Sequence, residues 1–252
     1  MPRNTLKLHW QMIMTLFPDE QDHTVVATAN PGPEFAKYPA PSHQAMPSLH
    51  HHHQTLILFT RYPHPGATKT RLIPLLGPQG AAGLQRWMTE RALAQARAFT
   101  RHSGVALEIH YAGGEESTMR QWLGPHTFTP QTHGTVGERM AHSFSKAFRA
   151  GKKRVVIIGS DCPGITVEIL AAAFSALESR DLVLGPAMDG GYYLIGLTRP
   201  HPSLFEDIAW GRESVLQQTL AKAHALTIHQ LPTLHDIDRP QDLDHLDYHP
   251  HP

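Results

Sequence analysis

Residues 155–164 read VVIIGSDCPG, an apolar run without polar alternation that ends in glycine and is followed at once by an aspartate, a cysteine and a proline. A run so short and so continuous is what a strand covered on both faces of a parallel sheet requires. TLILF at 55–59 and LVLG at 182–185 have the same character. VALEIHYA at 105–112 alternates better and reads as a strand toward an edge. Helical stretches lie between these runs. Residues 79–101 are rich in Ala, Leu, Gln and Arg, and 136–150 carry Met140, Phe144, Ala147 and Phe148 at core-facing spacing. Residues 166–179 and 213–226 also read as helices. The pattern predicts an α/β fold, a three-layer α/β/α sandwich around a mostly parallel sheet.

Composition narrows the function classes. Lys plus Arg and Asp plus Glu balance at 22 each, which gives no bulk electrostatic case for nucleic acid or an anionic membrane. No stretch is long and apolar enough to suggest a membrane span, and the N-terminal apolar segment is broken by His9 and Gln11, against a signal peptide. The single cysteine, Cys162, excludes an internal disulfide and suits a reducing, cytoplasmic setting. Residues 1–53 hold seven prolines, lack a clean period and end in the run His50–His53. They read as a disordered extension. Residues 54–247 form the expected domain, and 248–252 a tail. The histidine run has the composition of a transition-metal binder, although four adjacent histidines in a tail are more often incidental.

The chemistry sits where strands end. In an open parallel sheet, ligands bind outside the carboxyl ends of the strands. The run 55–59 leads into TRYPHPGATKTR, where Gly66 offers backbone amides and Lys69 and Arg71 offer cations to phosphate oxygens. A P-loop would need glycines at Pro63 and Thr68, so that comparison fails. The absence of G-x-G-x-x-G after the first strand argues against a dinucleotide-dependent dehydrogenase. Asp161 follows 155–159 and points a hard oxygen ligand at the crevice, suited to Mg2+ or Mn2+. With the next helix expected near Thr166, a capping role for Asp161 is the weaker reading. Asp189 stands in a turn before Gly190 and Gly191, which permit close backbone approach to a ligand or simply a tight turn. In DIDRPQDL (236–243), Asp236 and Asp238 straddle Ile237 and share one face of an extended backbone. Either can complete a metal site with Asp161, and Asp238 can also cap a short helix that begins near Pro240. Arg139 begins a helix and is a lesser candidate for a phosphate or base.

Residues 56–246 resemble the DUF2064 family, also labelled radical-SAM/selenodomain-associated transferase 1 and grouped with glycosyltransferases. The matching segments are PHPGATKTRL with LG at 76–77, GERM at 137–140, GSDCP at 159–163, GPAMDGGYYLIGL at 185–197, W-G-x-x-S-V-L at 210–216 and DIDRPQDL. The resemblance implies a GT-A-like (Rossmann-like) nucleotide-diphosphosugar transferase fold. It implies a metal held by Asp161 and Asp238, nucleotide phosphates at Gly66, Lys69, Arg71 and Arg139, and substrate contacts at Asp189, Gly190, Gly191 and Trp210. Arg212 and Arg239 depart from the family pattern, where a small hydroxyl residue and a threonine are typical. The expected partners are a nucleotide-sugar donor and a small-molecule acceptor. The expected activity is metal-dependent glycosyl transfer, with Asp161 and Asp189 as catalytic residues. Transfer of a nucleotidyl group from a nucleoside triphosphate, or nucleotide binding without turnover, are the alternatives.

Overall fold

The computed structural model describes residues 53–246. The expected extension through residue 52, with His50–His52, and the expected tail lie outside them. The described chain runs β1 (Gln54–Arg61), a 3-10 turn (Thr70–Leu72), α1 (Ile73–Ser103), β2 (Ala106–Ala112), α2 (Glu116–Leu123), β3 (Thr127–Pro130), α3 (Val136–Arg149) and β4 (Arg154–Gly159). It continues with α4 (Val167–Ala176), β5 (Leu182–Pro186), β6 (Tyr192–Leu197), a second 3-10 turn (Pro202–Phe205), α5 (Val215–Lys222), β7 (Ile228–Gln230) and a third 3-10 turn (Pro240–His245). One seven-stranded sheet holds the order β3-β2-β1-β4-β6-β5-β7. Its pairs are parallel except those made by β6, which runs antiparallel to both β4 and β5.

The central strands are apolar without alternation because both faces are covered. Leu56 and Leu58 of β1, with Val156 and Ile158 of β4, pack with Ala92, Ala96 and Phe99 of α1 and Leu170 and Phe174 of α4. Ile57, Val155 and Ile157 face the other way, against Met140, Phe144 and Ala147 of α3 and Phe205. Each fully buried aliphatic contributes roughly 1.5–3 kcal/mol relative to exposure, so the two faces together outweigh any single surface contact. A third cluster lies under the β1 loop, where Ile237 packs with Leu72, Leu84, Met88 and Leu243.

Several elements differ in detail from the sequence expectation. The first helix starts at Ile73 rather than 79, but Gly77 breaks it with φ 70° and ψ 168°, directly before Pro78. The regular part therefore begins where the sequence placed it. β2 is one strand in from the edge, because the four-residue β3, which has no long apolar run, pairs outside it. α4 is capped by the Thr166 side chain, which accepts from the Ile169 amide. Asp238 does not cap the last turn. The carboxylate of Asp242 accepts from the Asp238 and Arg239 amides at 2.9 and 2.6 Å, which leaves the Asp238 side chain for other partners. Among the described residues no helix is long and apolar enough to cross a membrane.

Candidate active site

The loops after the parallel strands β1, β4, β5 and β7 and the start of antiparallel β6 meet at the carboxyl end of the parallel strands. The last of these loops is laid into place by backbone hydrogen bonds. Leu231 donates to Leu184 at 2.8 Å, Leu234 to Pro186 at 3.0 Å, and Ile237 to the Asp161 carbonyl at 2.9 Å. Ile237 buries its side chain while its neighbours Asp236 and Asp238 line a cavity, which is the alternation expected of extended backbone.

Lys69 stands at the junction of these loops. Its backbone is left-handed, with φ 48° and ψ 46°, and its side chain is only 4% exposed. The ammonium donates to the Ile237 carbonyl at 2.7 Å and lies 3.2 Å from Asp161 and 3.7 Å from Asp238. Arg71 pairs with the other oxygen of Asp238. The two carboxylates are 51% and 36% exposed, so their outer lone pairs remain open to solvent. A lysine held among oxygen acceptors fixes the loop and balances two carboxylates that otherwise repel each other.

Two cavities meet at this point, and Asp161 and Asp238 line both. The smaller, about 330 Å³, lies over β1, β2 and the start of α3 and is lined by Arg61, Lys69, Gln131, Arg139 and Ser160 among others. The larger, about 880 Å³, lies toward β5 and β6 and is lined by Asp189, Tyr192, Trp210, Arg212, Asp236 and Arg239 among others. Beneath the smaller one, Gln85 donates to Ser160 and Thr89 at 2.9 and 3.1 Å, and Thr60 and Thr89 share a 2.9 Å hydrogen bond. This satisfied polar chain ties α1 to the ends of β1 and β4.

In the larger cavity, Asp189 accepts from the Gly191 amide at 2.8 Å. Asp236 lies close enough for the Asp189 charge to act on it; burial first, then that charge, raises its carboxyl above the usual range. Cys162 is buried, and burial followed by Asp236 and Asp161 pushes its thiol well up, which favours an inert thiol over a nucleophile. Burial also pushes the Tyr193 phenol up to about 12. Its hydroxyl donates to the Pro232 carbonyl at 3.0 Å.

The structure gathers most residues singled out by sequence. Asp161, Asp238, Lys69, Arg71, Asp189, Gly190, Gly191, Arg139 and Trp210 all line one or both cavities. Gly66 lines neither; its φ of 83° serves an exposed turn. Gly190, with φ 86°, allows close approach of protein backbone, since a Cβ there would strike the Glu213 carbonyl. Trp210 packs over Gly137 and meets Tyr192 edge-on at 6.3 Å, so part of its ring serves to join the 210 loop to α3. Arg61 and Gln131 were not singled out from sequence. Both directly follow or end strands, β1 and β3, and strand ends were the available signal.

A family model described as "Uncharacterized protein conserved in bacteria (DUF2064)" matches residues 95–212. No protein of curated function matches the chain. A crystal structure of a "putative nucleotide-diphospho-sugar transferase" from Desulfovibrio desulfuricans G20 is 36% identical with a TM-score of 0.70, over 77% of this chain and 86% of that one. A cytidylyltransferase from Leptospira borgpetersenii shares the fold at 13% identity and a TM-score of 0.51, over 78% of this chain and 85% of the other. The 4-diphosphocytidyl-2C-methyl-D-erythritol synthase of Anaerococcus prevotii does so at 10% and 0.50, over 77% and 94%. The sheet, its loops and this first relative agree: the chain belongs to the DUF2064 family, with the fold of nucleotide-diphospho-sugar transferases.

Proposed function

We propose that this chain is a transferase, a metal-dependent glycosyltransferase that takes a nucleoside diphosphate sugar as donor. The observation that carries the reading is that Asp161 and Asp238, with Lys69 between them, line both cavities. A donor laid across that junction puts its nucleoside diphosphate end in the smaller cavity, and its sugar and the acceptor in the larger. The relative with 36% identity and its description agree with such a donor.

The carboxylates fit Mg2+ or Mn2+. They are hard oxygen donors from two loops, half open to the cavities. Among the described residues no three His, Cys, Asp or Glu side chains are gathered for a metal, which suits an ion that takes one or two carboxylates and completes its shell with water and substrate phosphate. Bound there, the ion supplies Lewis-acid stabilisation of the departing nucleoside diphosphate. Lys69 fixes the two carboxylates, and Arg71, paired with Asp238 but largely exposed, keeps N–H donors for the diphosphate where the two cavities meet. The acceptor oxygen bonds to the anomeric carbon as that carbon's bond to the diphosphate oxygen breaks. Asp189, fixed by the Gly191 amide, contacts sugar or acceptor and takes the acceptor's proton.

A thermal-shift panel tests the reading, with nucleoside diphosphate sugars and nucleoside triphosphates each offered with and without Mn2+ or Mg2+. Metal-dependent stabilisation by a diphosphosugar supports glycosyl transfer. A response confined to a triphosphate, with pyrophosphate released on turnover, replaces it with nucleotidyl transfer. Tight binding with no product from any acceptor favours a non-catalytic role.

A further inference from the structure

The cations read from the sequence, Lys69 and Arg71, are both committed to carboxylates. Two other cations in the same crevice are not. Arg61, at the end of β1, and Arg139, in the first turn of α3, line the smaller cavity, and neither makes an ion pair with a carboxylate among the described residues. Arg139 is also held in place. Its Nη1 donates to Gln131 Oε1 at 2.7 Å and its Nε to the Thr135 carbonyl at 3.3 Å. The Gln131 carboxamide is fixed in turn, donating to the carbonyls of His110 at 2.8 Å and Thr60 at 3.3 Å. Gln131 is thereby used up in orienting the arginine. The stem of Arg61 lies against Gly113, where the missing side chain leaves room for it.

Two guanidiniums near each other, without an acidic partner, make an arrangement that an anion relieves. Burial first, and then the Arg61 charge, lower the Arg139 pKa from its ordinary value, so the Arg61 charge reaches the Arg139 guanidinium. Arginine offers five N–H donors in a planar fork suited to phosphate, and two of those on Arg139 are spent on orientation. The remaining donors supply charge-assisted hydrogen bonds to a tetrahedral anion.

We propose that Arg61 and Arg139 form an anion receptor in the smaller cavity that takes a phosphate group of the nucleotide. The proposal rests on the nucleotide reading of the site and adds the uncompensated positive charge that Lys69 and Arg71 lack.

The test is calorimetric titration of the full chain with inorganic pyrophosphate in the absence of divalent metal, then with nucleoside diphosphates plus Mg2+. Arg61→Ala and Arg139→Ala are each expected to weaken pyrophosphate binding about tenfold or more, on the scale of a charge-assisted hydrogen bond. Gln131→Glu keeps an acceptor for Arg139 and supplies the missing carboxylate, at the loss of the two bonds to the His110 and Thr60 carbonyls, and should abolish pyrophosphate binding while far-UV circular dichroism shows the fold retained. Pyrophosphate affinity that survives both arginine substitutions overturns the receptor, even where nucleoside diphosphates bind with metal and the donor reading stands. Arginine-dependent pyrophosphate binding upholds the receptor, even where no nucleotide sugar binds and the donor reading falls. Equal competition by sulfate at the same concentration reduces the pair to unselective anion binding and overturns it.

Discussion

The two halves of the crevice are built by different means. Around the smaller cavity, polar side chains bond to one another across elements: Gln85 to Ser160, Thr60 to Thr89, and Gln131 to Arg139. Around the larger cavity, backbone and rings touch where glycine leaves no room for a side chain: Gly190 against Glu213, Gly137 under Trp210, Gly185 against Tyr193. The first half surrounds arginines without acidic partners among the described residues, the second a pair of carboxylates, Asp189 and Asp236, with Arg212 and Arg239 on exposed positions. A polar network fixes the angle of each donor group, as recognition of a charged ligand requires. Close glycine packing fixes shape, which is what a pocket for a bulkier, more neutral group needs.

Asp161 belongs to both halves, so its removal should affect both functions. Asp161→Asn keeps the shape but loses the charge beside Lys69. Turnover is expected to fall roughly a thousandfold, about 4 kcal/mol, if the carboxylate positions a Lewis-acid ion. Donor binding should cease to depend on Mg2+ or Mn2+ in the thermal-shift panel. Undiminished metal dependence would remove Asp161 from the metal site and leave it a partner of Lys69 alone.

Gly190→Ala addresses the packed half. The new Cβ meets the Glu213 backbone, and the left-handed φ of 86° adds strain. Backbone cannot move aside as a flexible side chain can, so a loss of about 3 kcal/mol is expected in chemical denaturation. Pyrophosphate binding to the arginine side should survive under folding conditions. Joint loss would mean that the two halves are one cooperative unit rather than two separately built walls.

How much of this was legible in the sequence depended on the length of the signal. β1, β4 and β5 were legible because burial on both faces forces continuous apolar runs, and four helices from composition and core-facing spacing, while the eight-residue α2 was not read. Asp161 stood out by its position after β4, whereas position left Asp236 and Asp238 open and the family resemblance chose Asp238. β3 was not legible, because a four-residue edge strand reading TFTP buries little and carries no long run. Gln131 was hidden with it. Arg61 was passed over because an arginine at a strand end reads as surface; that no described carboxylate pairs with it appears only in three dimensions. The role of Gly190 was open for the same reason: positive φ suits a ligand and a neighbouring backbone equally, and only the fold shows Glu213 against it.

Outside both cavities, the Glu108–His110 pair on β2 should make the fold sensitive to acid. His110 lies beside Glu108 at 3.3 Å, and its hydrogen bond to Glu108 is the main cause holding that carboxyl below its ordinary 4.5, against the opposing effect of burial. A depressed folded value means the contribution is complete above pH 4.5 and vanishes as pH falls through the lower folded value. Glu108→Gln should therefore cost about 1 kcal/mol at neutral pH and flatten the acid limb of a stability-against-pH curve. An unaltered acid limb would show that the pair does not contribute to folding stability.

The smallest expected effect lies where the cap of α3 and the Arg139 fork meet. The Thr135 hydroxyl accepts from the Glu138 amide at 3.2 Å, while the Thr135 carbonyl accepts from Arg139 through both its amide and its Nε. Thr135→Ala removes the cap but not the carbonyl, so stability should drop by about 1 kcal/mol while Gln131 still holds the guanidinium. Pyrophosphate affinity should then fall by only about two- to threefold, a fraction of a kcal/mol, and Thr135→Ser should restore both quantities. A loss as large as that in Arg139→Ala would show that the helix cap, rather than Gln131, sets the angle of the arginine. The polar wall would then depend on backbone geometry as much as the glycine-packed wall does, and the contrast between the two halves would narrow to their charge.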